Sequence, residues 1–169
     1  MDINDVAITG EVISARKCNE MCELVVEVER PSGEKDLIEV LSKETAEGFV
    51  RICGEVRSRQ NKGLSPYIYA DYIMPIEEMY SNECVVEGHI CQKPYYKKLR
   101  TREVTAFMVA IEGCRLYYVP VVCWGRTARR IAEYHEGDKV VIKGRCQTRN
   151  YIKGKEIKMA KEISAYEIM

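Results

Sequence analysis

Leu116-Tyr117-Tyr118-Val119-Pro120-Val121-Val122-Cys123-Trp124, Gly125-Arg126-Thr127-Ala128-Arg129-Arg130-Ile131-Ala132-Glu133-Tyr134-His135, Glu136-Gly137-Asp138 and Lys139-Val140-Val141-Ile142-Lys143-Gly144-Arg145-Cys146 read in turn as strand, helix, turn and strand. The outer runs are rich in β-branched and aromatic residues. In the middle run Ala128, Ile131, Ala132 and His135 fall at helical spacing, so a helix is expected over 126–135. Further strands are expected at 83–90 and 104–111 before this block and at 155–160, continuing to 163, after it. A helix between the third and fourth of five strands is the layout of an OB fold, a small closed Greek-key barrel.

The first half has the same rhythm. Strands are expected at 6–13, 23–29, 37–41, 49–56 and 67–73, with turns at Pro31-Ser32-Gly33 and Asn61-Lys62-Gly63. Gly54 and Arg59 match Gly144 and Arg149 at an offset of 90, as do Ala70 with Ala160 and Ile73 with Ile163; Gly10 matches Gly88 at 78. The added length falls at the helix, whose first-half counterpart over 42–48 is shorter. The expected architecture is all-β: two tandem five-stranded OB-fold barrels, with a short helix between strands three and four of the second. The units are 1–76 and 82–169, joined by a linker. Gly10, Gly54, Gly88 and Gly144 sit where a barrel strand needs to bend.

The chain has 169 residues, 46% hydrophobic and 31% charged, enough for a packed core. No apolar run approaches the roughly 18 residues that span a bilayer, and Met1-Asp2-Ile3-Asn4-Asp5 lacks a signal-peptide core; a cytoplasmic protein without membrane contact is expected. Eight cysteines without Cys-x-x-Cys spacing read as buried reduced thiols, and alternation puts Cys84 opposite His89 and Cys91, so neither metal nor cofactor is expected. With His89 and His135 the only histidines and no phosphate loop, an enzyme is not expected. The zero net charge hides an asymmetry: residues 1–80 carry 9 Lys+Arg against 16 Asp+Glu, a balance of −7, and residues 81–169 carry 17 against 10, a balance of +7. Either the halves attract each other or the basic half binds a polyanion.

Alternation along the fourth strand of the second unit separates Val140, Ile142, Gly144, Cys146 and Thr148, facing the core, from Lys143, Arg145, Gln147, Arg149 and Tyr151. In the third strand Tyr118, Pro120, Val122 and Trp124 share a side. The loop between the first two strands adds Lys93, Tyr95, Tyr96, Lys97, Lys98, Arg100 and Arg102. Cations for phosphates and aromatic faces for bases are what single-stranded nucleic acid requires. The matching first-unit stripe, Cys53, Glu55, Arg57, Arg59 and Asn61, has gained an acid and lost its aromatic, so weak binding or a packing role is expected there.

Tyr118 to Ala128, and Glu136 to Arg145 with Gln147-Thr148-Arg149-Asn150-Tyr151, resemble the bacterial single-stranded DNA-binding proteins. The match covers 83–163; the turn at Asn61-Lys62-Gly63-Leu64-Ser65 is similar to one in primosomal replication protein N, a relative of the same fold. The resemblance implies sequence-tolerant single-stranded DNA binding in replication, recombination or repair. By motif position Tyr118, Trp124 and Tyr151 would stack bases, with Arg149, Lys143 and Arg145 beside them. It also implies a homodimer presenting four OB folds. The family's acidic tail has no counterpart after Tyr166-Glu167-Ile168-Met169, so recruitment through such a tail is not expected. The alternative is a replication-accessory module that uses its OB folds for oligomerisation or for binding replication proteins.

Overall fold

The computed structural model describes residues 1–60 and 64–169; the turn expected at 61–63, including the stripe residue Asn61, lies outside them. The first barrel is built from β1 (Asn4–Cys18), β2 (Met21–Glu29), β3 (Lys35–Ser42), β4 (Gly48–Gln60) and β5 (Leu64–Pro75). The second comprises β6 (Ser81–Ile90), β7 (Tyr95–Lys98), β8 (Glu103–Glu112), β9 (Leu116–Trp124), α1 (Gly125–Ile131), β10 (Lys139–Lys153) and β11 (Glu156–Ile168). Strand order closes each: β1-β2-β3-β5-β4 and back to β1, and β6-β8-β9-β11-β10 and back to β6. Each barrel has one parallel pairing, Val40 with Ile68 in β3–β5 and Val121 with Ile163 in β9–β11. This is the tandem OB architecture, and among the described residues no helix is long and apolar enough to cross a membrane.

Alternation builds the cores. Leu24, Val26 and Val28 of β2 point inward while Glu23, Val25, Glu27 and Glu29 are half-buried on the outer side. The four matched glycines have a common cause. A Cβ at Gly10, Gly54, Gly88 or Gly144 would lie 2.3, 2.0, 2.4 or 2.3 Å from the carbonyl oxygen of Glu27, Tyr69, Ala110 or Ser164 respectively. These positions are glycine because two backbones meet there.

Several details differ from the sequence expectations. The helix ends at Ile131, four residues early. Ala128 and Ile131 are buried as expected, but His135 is exposed and Tyr134 packs against the core instead. Asp138 Oδ2 accepts from the His135 amide at 2.8 Å, and Gly137 (φ 89°) turns the chain into β10. The segment at Tyr95–Lys98 is a strand, not loop: the ladder breaks at buried Pro94, which has no amide to donate, and resumes along β8. The fifth strands correspond at an offset of 95, not 90. Gly54 faces Ala70 and Gly144 faces Ala165, each just after a bulge, because the β10–β11 hairpin is five residues longer. The last residues belong to β11, where Ile168 is buried opposite Ile142. Of the cysteines, Cys22, Cys84, Cys123 and Cys146 are buried, whereas Cys18 and Cys114 are exposed.

The barrels join edge to edge. β1 and β6 pair antiparallel from Asn4↔Val86 to Thr9↔Ser81, and the offset of 78 places an internal two-fold at the Val6–Cys84 pair. Hydrogen bonds repeat across it. Asn4 clamps the Val56 amide and carbonyl at 2.8 Å each; Asn82 does the same to Cys146 at 2.9 and 2.6 Å. The Tyr118 amide donates to Ser58 Oγ at 3.1 Å, and the Leu37 amide to Thr148 Oγ1 at 3.0 Å. Each barrel's long hairpin thus rests on the other barrel. One crossing is heavily charged: Asp36, fully buried, takes Arg30 at 2.6 and 2.9 Å and the Thr148 amide at 2.9 Å. Lys161 pairs with Glu39 nearby.

Candidate nucleic-acid interface

In antiparallel ladders, directly opposed residues share a face. On the outer face of the second barrel Tyr118 opposes Ala110, Pro120 opposes Met108, Val122 opposes Ala106 and Trp124 opposes Val104. The result is an apolar track with aromatic ends. Tyr118 and Trp124, both half-buried, lie roughly 20 Å apart along β9 at strand rise. The small Ala106 and Ala110 leave room between them.

β7 extends this track. Tyr95 opposes Ala106 and Lys97 opposes Val104, so both face the track, and Tyr95 is 68% exposed. Tyr96 opposes Thr105, whose side chain is inside the barrel donating to the Ala128 carbonyl. The Tyr96 ring therefore leaves on the other side, where its hydroxyl donates to Glu103 at 2.8 Å, and that bond holds the phenol pKa above its usual value. Tyr95, not Tyr96, is the tyrosine of this segment that joins the track. Alternation would have found it had Tyr95–Lys98 been read as a strand. Lys98 goes with Tyr96, and Arg100 is exposed in the turn that follows.

At the Trp124 end the track opens into a groove of about 810 Å³ between the barrels. The guanidinium of Arg102 sits 4.0 Å from the Trp124 ring centre. Arg145 and Arg149 of β10 line the same groove, facing Arg30, Ser32, Glu34 and Lys35 from the β2–β3 hairpin. Arg149 is tied to Glu162 at 2.8 Å. Arg145 contacts Gln147 at 3.3 Å, and its Nε is the buried side-chain polar atom without a hydrogen-bond partner among the described residues. Burial, and then the charge of Arg30, push the Arg145 pKa below its usual value.

The remaining stripe residues disperse. Gln147 is buried against Glu162 at 3.2 Å rather than presented outward. Lys143 lies further along β10, 3.7 Å from Glu167, outside the groove. Tyr151, 37% exposed, stands on the hairpin arm with Arg149 5.9 Å from its ring. The first-barrel stripe is closed on itself: Arg57 binds Glu55 at 2.5 Å and covers the Tyr69 ring at 3.7 Å, and Arg59 covers Tyr67 at 4.6 Å.

A sequence model described as the single-strand binding protein family matches residues 81–169. The wild-type single-stranded DNA binding protein from Thermus aquaticus superposes with a TM-score of 0.81 at 16% identity, covering 99% of this chain and 92% of that one. A deletion mutant of that protein, also carrying one arginine-to-alanine substitution, gives the same score and identity, covering 99% and 94%. The fold likeness therefore spans both barrels. Comparison with curated proteins finds no match.

Proposed function

The chain belongs to the single-strand binding protein family, a family of non-enzymatic DNA-binding proteins, and from that premise we propose that its second barrel holds single-stranded DNA across the β8–β9 face without reading sequence. The observation that carries this is the track itself: Tyr118 and Trp124 at the ends of one apolar face, with Tyr95 and Lys97 beside it and a cationic groove at its Trp124 end. Aromatic faces accept any base, so stacking is tolerant of sequence, and cations along the path follow the phosphates. Arg100, Arg102, Arg145 and Arg149 serve the backbone; Tyr151 offers a further face on the hairpin, and Lys143 and Lys98 add charge at a distance.

The units are taken as 1–76 and 82–169. The β4 face of the first is a packing surface: its outward arginines Arg57 and Arg59 are spent on Glu55, Tyr69 and Tyr67. The internal two-fold makes one chain a two-barrel unit, and two chains would supply four barrels as a homodimer. Anisotropy of a labelled oligo-dT tests the reading. Saturable binding at low salt, weakened by salt and little affected by excess duplex, is expected; no binding at low salt would overturn it.

A further inference from the structure

We infer that the groove between the barrels is a composite site for the phosphodiester backbone of a single strand, with the β2–β3 hairpin of the first barrel as its second wall. This rests on the single-strand binding proposed above. It goes further, because it gives the acidic barrel a direct share in the ligand.

The groove's charges do not balance. Five cations line it against one carboxylate, Glu34. Arg30 is held by Asp36 and Glu34, Arg149 by Glu162, and Lys35 by Glu27 at 3.0 Å. Arg102 and Arg145 meet no carboxylate among the described residues; one lies on an indole, the other beside an amide. A guanidinium with a buried, unpartnered Nε is costly unless an anion completes it. A phosphate arriving from the Trp124 end would supply that anion, and a planar guanidinium suits it. Across the groove, the Ser32 hydroxyl and the half-exposed Lys35 ammonium are the groups placed to meet the same backbone.

The internal two-fold offers a control within the molecule. The residue matching Arg145 is Glu55, bonded to Arg57. An acid there repels phosphate, so the position equivalent to Arg145 in the first barrel does not supply the same contact.

The test is the salt dependence of oligo-dT binding by Arg145→Met and Lys35→Gln, with Arg145→Lys and Lys35→Arg as charge-keeping partners and thermal melting to show that each is folded. Each lost phosphate contact should reduce the slope of log K against log salt by about 0.7. Affinity should fall about tenfold at 50 mM salt, with the difference vanishing near 1 M. Both charge-keeping variants should restore the slope. If Lys35→Gln binds like the unmodified chain while Arg145→Met loses its contact, the first barrel is not a wall of the site and the inference falls. If neither variant changes the slope, the groove is not on the path. If the unmodified chain does not bind oligo-dT at low salt, the underlying function falls first, and that outcome is separate from the other two.

Discussion

β4 of the first barrel and β10 of the second occupy the same place in the same fold, yet position by position they do different work. Glu55, Arg57 and Arg59 on one correspond to Arg145, Gln147 and Arg149 on the other. On β4 the acid and the two arginines find partners at home, in Glu55–Arg57 and on the rings of Tyr69 and Tyr67. On β10 the rings are replaced by Ser164 and Glu162; Glu162 takes Arg149 and Gln147, and Arg145 keeps a buried Nε without a partner among the described residues. The fold sets which positions face outward. Whether such a face binds anything depends on whether its charges are already satisfied within the chain.

The largest effect is expected where the barrels lock together. The seat filled by buried Asp36 in the first barrel is filled in the second by Tyr117, whose hydroxyl lies 2.8 Å from Cys114 Sγ. Asp36→Ala strands Arg30 and the Thr148 amide and should cost about 3–5 kcal/mol in urea unfolding. Tyr117→Phe removes one hydroxyl contact and should cost roughly 0.5–1.5 kcal/mol. Equal costs would mean that the two crossings are energetically alike and the charged one is not special. Next come the glycines: Gly54→Ala and Gly144→Ala each force a methyl onto a backbone oxygen, and each should destabilise by about 1–3 kcal/mol by calorimetry. A large difference between them would break the equivalence of the two bends.

Binding effects follow. Trp124→Ala should weaken oligo-dT binding by about 1–3 kcal/mol, whereas Tyr69→Ala, which uncovers Arg57 in the first barrel, should leave it unchanged. The smallest effect sharpens the contrast from the other side. Glu55→Arg makes β4 resemble β10, and it should raise the salt slope of binding by at most about 0.7. If it changes nothing, the β4 face of the first barrel is closed to DNA for reasons other than charge.

Much of this fold was legible because strands announce themselves by alternation and barrel bends by glycine. The offsets of Gly54 with Gly144 and Gly10 with Gly88 survive in three dimensions because a Cβ at any of these sites meets a carbonyl. The fifth strand slipped because a longer hairpin changes the offset without changing the pattern. The helix end was missed because Tyr134 and His135 follow it at spacings that a turn satisfies as well as a helix does. The track was half legible. Tyr118 and Trp124 share a side by simple counting, but Tyr95 and Tyr96 exchange roles once Pro94 is known to interrupt a strand that then resumes. The groove's second wall was not legible at all, since Arg30 to Lys35 lie more than a hundred positions from Arg145 and Arg149 and are brought to them by the β1–β6 joint.

Trp124 is the only tryptophan, so its emission reports one place on the track. Titrating the protein with oligo-dT at low and at high salt, and following that emission, shows whether a single strand lies on the β8–β9 face. Quenching that saturates and shifts to weaker affinity as salt rises is expected. Unchanged emission alongside binding of a labelled oligo-dT at low salt would contradict it, because the strand would then bypass the face on which this reading rests.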